Sequence, residues 1–63
     1  MTQKELLYYE DAIEHEGIII KQIDKAITSL TDEELINFME EERNKHNELK
    51  NSLMNVLKEE ANG

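Results

Sequence analysis

The stretch Ile27-Thr28-Ser29-Leu30-Thr31-Asp32-Glu33-Glu34-Leu35 decides the fold, because it holds the one break in an otherwise helical chain. Thr28-Ser29-Leu30-Thr31 has low helix preference: hydroxyl side chains compete for backbone groups, and β-branched ones lose rotamer freedom. Directly after it, Thr31 and Glu34 stand at capping-box spacing. Asp32, Glu33 and Glu34 place negative charge at the positive end of a helix dipole. Thr2 and Glu5 repeat the same spacing near the start of the sequence. These signals predict one helix over about residues 3–29 and a second over about 32–60, with Ala61-Asn62-Gly63 fraying at the end. A link this short makes the helices antiparallel neighbours. The fold expected for residues 1–63 is a single all-α domain, a helical hairpin.

Apolar spacing supports that division. On the first helix Leu6, Tyr9, Ile13, Glu16, Ile20, Ile23, Ile27 and Leu30 follow one another at intervals of three and four. On the second, Leu35, Met39, Glu42, His46, Leu49, Leu53 and Val56 do the same. Such spacing builds a seam that packs against another helix. In an antiparallel hairpin the numbers of facing residues keep a constant sum. One register then pairs Ile27 with Leu35, Ile23 with Met39, Ile20 with Glu42, and Glu16 with His46. Further from the turn it pairs Ile13 with Leu49, Tyr9 with Leu53, and Leu6 with Val56. Every one of these pairs joins one seam to the other.

Composition narrows the rest. A chain of 63 residues buries too little surface to be comfortable alone, and there is no cysteine for disulfides or thiolate metal sites. Self-association and a non-thiolate metal remain. Ala12, Ile19 and Ala26 widen the first seam, Ile36 and Leu57 the second, while Leu7, Tyr8 and Ile18 lie off it. So wide an apolar face predicts a homodimer, two hairpins forming a four-helix bundle. With seven basic residues spread among fifteen acidic ones and a net charge of −8, nucleic-acid backbone binding is not expected. No apolar run approaches the ~20 residues of a membrane span and no signal-peptide pattern stands at the N-terminus, so the expected location is cytoplasmic. Nucleophilic hydrolysis has no support: Ser29 and Ser52 follow no elbow-type motif.

Three residues do not belong in an apolar seam: Glu16, Glu42 and His46. Glu16 is flanked at helical spacing by Ala12, Ile13, Ile19 and Ile20, so its carboxylate faces the core and needs a partner or a proton. Glu42 and His46 lie four apart on the second helix, and the register brings both close to Glu16. Doubled by a twofold axis, the layer supplies four carboxylates and two imidazoles, a donor set suited to divalent iron, manganese or zinc. On that reading Glu16 and Glu42 are oxygen ligands and His46 a nitrogen ligand, with Tyr9 placed to donate a hydrogen bond nearby. The alternative is a metal-free polar layer that fixes helix register, with Arg43 and Lys45 available to neutralise the carboxylates. Asp11 and His15 also stand four apart, but outside the seam, as solvated side chains. Gly17, beside Glu16, serves either a close helix approach or a local bend.

Leu7-Tyr8-Tyr9-Glu10-Asp11, His15-Glu16, Thr31-Asp32-Glu33-Glu34-Leu35, and Glu42 with Lys45-His46 together resemble the ferritin-like superfamily. The similarity is to its small spore-coat-related and rubrerythrin-like helical proteins. It covers most of the chain as one helix pair, half of the usual four-helix domain. In that family a first-helix glutamate and a Glu-x-x-His motif hold the metals. The resemblance therefore implies metal binding at Glu16 and His46 and, for any catalysis, oxidation of Fe(II) or handling of oxygen species. Here the residue three before His46 is Arg43, and Glu42 stands four before it. The reading of a different class is a structural or regulatory hairpin that binds another protein, with Leu7, Tyr8 and Ile18 as contact residues.

Overall fold

A computed structural model describes residues 1–62 and contains two helices, α1 (Gln3–Thr28) and α2 (Glu33–Asn62). They pack side by side as an antiparallel hairpin, a slab of 46 × 15 × 11 Å. The 30 residues of α2 at ~1.5 Å each account for its length. Helix α1 opens on the expected capping box: the Thr2 hydroxyl accepts from the Glu5 N–H at 3.1 Å, and the Thr2 N–H donates to Glu5 Oε1 at 3.0 Å. The Thr2 backbone N–H, and after it the Thr2 side chain, hold the Glu5 carboxyl below the usual carboxylate range.

The turn needs no glycine, since no described residue has a positive φ outside the usual regions. Helix α1 tightens at its end, with the Ser29 N–H bonded to the Ala26 carbonyl and the Leu30 N–H to the Ile27 carbonyl. The cap of α2 differs from the expected one. Asp32, not Thr31, takes that position: its Oδ1 accepts from the N–H groups of Glu34 (2.9 Å) and Leu35 (3.3 Å). Its carbonyl accepts the first helical bond, from the Ile36 N–H. A carboxylate reaches two orphan donors and meets the dipole with full charge, which a threonine hydroxyl cannot do. The helix begins one residue later than the sequence suggests. At the far end Ala61 and Asn62, expected to fray, belong to α2, and Gly63 lies outside the described residues.

The seam forms, but it closes only along its centre. Ile23 is the buried hydrophobic residue and Glu16 the buried polar one among the described residues. Ile13, Ile20, Ile27, Met39, Leu53 and Val56 are half-buried. Leu6, Leu35 and Leu49, which the register assigns to the seam, remain 37–46 % exposed. One layer of helices covers each seam from one side, and positions at its edge keep their solvent contact. The chain exposes 5063 Å². A compact monomer of 7.4 kDa exposes about 4,200 Å². No helix among the described residues is long and apolar enough to cross a membrane.

Candidate functional site

Midway along the slab, Glu16 of α1 and His46 of α2 meet. The imidazole Nδ1 and the Glu16 Oε2 are hydrogen-bonded across the hairpin, with the His46 side chain 29 % and the Glu16 side chain 12 % exposed. The cause is local. Ala12, Ile13, Ile19 and Ile20 turn that arc of α1 toward α2, and Glu16 goes with them. A carboxylate held there without a partner would cost several kcal/mol, on the order of what burying an unpaired charge costs generally. His46 sits at the matching height and supplies the donor. No buried side-chain nitrogen or oxygen among the described residues lacks a hydrogen-bond partner.

The third member of the expected layer turns away. Glu42 is half-buried, and its Oε1 lies 3.5 Å from Lys45 Nζ, three residues on along the same helix. Lys45 thus neutralises a carboxylate as the metal-free reading expects, but Arg43 does not. Its Nη1 reaches across to Asp24 Oδ1 at 2.9 Å, and that hydrogen bond holds the guanidinium proton more firmly than usual. Both groups are exposed enough for solvent to screen the bridge, so it adds little to stability. Its value is positional: it marks which flank of α1 faces which flank of α2.

The two flanks of the hairpin differ. On the Asp24–Arg43 side a groove of about 350 Å³ is lined by Glu14, Gly17, Ile18, Ile20, Lys21, Asn47 and Lys50. A Cβ built on Gly17 would meet only the Lys50 ammonium, at 3.7 Å, an ordinary contact. Gly17 therefore serves no close backbone approach, and α1 runs through it unbroken. On the other flank Tyr8, Tyr9, Ala12 and Leu53 line a more open groove of about 260 Å³. Tyr9 and Leu53 share this groove, as the register requires. Lys4 Nζ lies 5.9 Å from the centre of the Tyr8 ring.

The residues expected at the site are thus distributed unevenly. Glu16 and His46 are brought together, Glu42 is directed to Lys45, and Asp11 and His15 are exposed. Among the described residues no group of three or more histidine, aspartate or glutamate side chains is arranged to hold an ion. The donor set of one chain, two residues already bonded to each other, does not by itself fit a metal centre. Sequence reasoning missed Phe38, which is 55 % exposed. Its spacing of three from Leu35 and four from Glu42 is the signal that places it beside the seam. Comparison with protein-family models, curated proteins and solved structures returns no match to this chain.

Proposed function

We propose that this chain is a self-associating helical hairpin, a structural or regulatory module that works by binding protein rather than by catalysis. Two copies form a four-helix bundle, and the Glu16–His46 pair is the polar layer that fixes the register of the helices. The observation that carries this reading is the exposure pattern. A slab 11 Å thick buries Ile23 and Glu16 while Leu7, Tyr8, Leu35, Phe38 and Leu49 stay open to solvent. Domains need two packed layers to enclose a core, and here one layer is supplied by the chain. The midpoint of thermal unfolding, followed by circular dichroism, tests it. A bundle of two chains unfolds at a temperature that rises with protein concentration. A midpoint constant over a hundredfold dilution contradicts the reading. The exposed Leu7 and Ile18 lie away from the seam and are the contact residues proposed for a further protein partner.

A metal-binding function of the ferritin-like kind is the second reading, favoured by one observation. Glu16 and His46 are in contact across the two helices, and Glu42 stands one turn before His46 on α2. A second copy doubles this set, and iron, manganese or zinc suits such donors. The test is elemental analysis of protein purified without chelator and then reloaded with each metal. Near-stoichiometric metal that disappears in Glu16→Ala and in His46→Ala supports this reading, and protein that holds none ends it.

A further inference from the structure

The hairpin has two flanks, and the chemistry of each decides which one a second copy can cover. On one, the Asp24–Arg43 bridge and the Lys50 ammonium over Gly17 place charges at the line where α1 and α2 meet. At 100° per residue, Tyr8, Ala12, Ile19 and Ala26 fall on the opposite side of α1 from Asp24. On α2 the same rotation puts Phe38, Leu49 and Val56 on the side away from Arg43 and Lys50, with Leu35 in the seam and Ile36 and Met54 on the charged side. The shared groove of Tyr8, Tyr9, Ala12 and Leu53 confirms that these arcs adjoin across the two helices. Tyr8, Ala12, Ile19 and Ala26 make the α1 side of this flank apolar, and Glu42, which lies on it, pairs with Lys45 at 3.5 Å.

We infer that a second copy of this chain packs on the Tyr8–Phe38 flank, leaving the Asp24–Arg43 flank facing solvent. The inference rests on the self-association proposed above and adds the surface through which it occurs. Area favours a second copy as the occupant. A compact particle of twice this mass exposes about 7,000 Å², roughly 3,000 Å² less than two separate hairpins of 5063 Å² each. That difference falls among obligate dimer interfaces, which run from about 2,000 Å² upward. Small and large side chains alternate on the α1 arc, Ala12 and Ala26 against Tyr8 and Ile19, so an identical arc can seat bulk against hollow. Covered this way, the solvent contact that His46 keeps in the single hairpin is lost and the Glu16–His46 pair lies inside a bundle.

Thiol footprinting tests the choice of flank, because the chain contains no cysteine and each variant carries one thiol. Phe38→Cys and Leu49→Cys report on the proposed interface, Asn47→Cys and Met54→Cys on the opposite flank. Alkylation by iodoacetamide is measured in the folded dimer and, for reference, in denaturant, with mass and helicity checked for each variant. The expected result is protection of about tenfold or more at positions 38 and 49, and at most a few-fold at 47 and 54, since access controls the rate. A dimer protected at 47 and 54 instead, or equally open at all four, overturns the inference while self-association stands. A wild-type chain that light scattering finds monomeric overturns both.

Discussion

Glu16 on α1 and His46 on α2, thirty positions apart in sequence, are bonded to each other at the same height of two antiparallel rods. This pair is the only partner either has across the hairpin among the described hydrogen bonds, so register and charge satisfaction depend on the same contact. A slip of α2 by one turn would set Glu16 against the carboxylate of Glu42 in one direction and the aliphatic Leu49 in the other. On the proposed reading, the pair acts by penalising alternative registers more than by stabilising the native one.

The energetic consequence is an asymmetry between single and double replacement. Glu16→Ala leaves a half-buried His46 unpaired and His46→Ala a buried Glu16, and each is expected to cost about 1–3 kcal/mol. Glu16→Leu combined with His46→Leu fills the seam with matched apolar volume and is expected to equal or exceed the wild-type stability. Urea denaturation of the three variants measures this. A double variant less stable than both singles would contradict it.

Gly17 is the clearest opportunity for stabilisation. It lies inside α1 with helical φ, and a methyl group there meets only the mobile end of Lys50 at 3.7 Å. Gly17→Ala is expected to add about 1 kcal/mol, the difference in helix propensity between the two residues. A thermal midpoint that falls would show that the glycine has a role that its surroundings do not reveal.

The start of α2 distinguishes two neighbouring caps. Asp32→Ala removes the acceptor for two backbone N–H groups and is expected to cost about 1 kcal/mol. Thr31→Ala should cost no more than a few tenths of that, on the scale of ordinary surface substitutions. A loss in Thr31→Ala as large as that in Asp32→Ala would contradict this assignment.

The capping box of α1 carries a pH dependence whose sign follows from Glu5. Its carboxyl is held below the usual range in the folded chain by the Thr2 backbone N–H and side chain. The stability it contributes is therefore present above the ordinary carboxylate range and disappears as the pH falls through the lowered value. Glu5→Gln should unfold more easily than wild type at neutral pH and match it in acid. Unfolding midpoints measured side by side across that range check it, and a gap that widens on acidification would reverse the sign.

Much of this architecture was legible in the sequence because one-dimensional spacing encodes it. The three-four rhythm predicts both helices, and the constant-sum rule pairs Glu16 with His46 and Tyr9 with Leu53 from spacing alone. What spacing does not encode is direction around the helix combined with side-chain reach. Arg43 has the length to cross to Asp24, and Lys45 bends back to Glu42, so the charges available near the layer are divided in three dimensions. Thr31 and Asp32 are adjacent cap formers, and the choice between them depends on backbone dihedrals that composition leaves open. Phe38 lies just outside the seam, where a rule that selects inward positions passes over it, although it stands among the exposed large hydrophobics.

Sedimentation equilibrium at micromolar concentration tests the central claim, that the hairpin is half of a bundle, most directly. The account predicts a helical species of twice the 7.4 kDa chain mass. A stably folded species at the mass of one chain would contradict it.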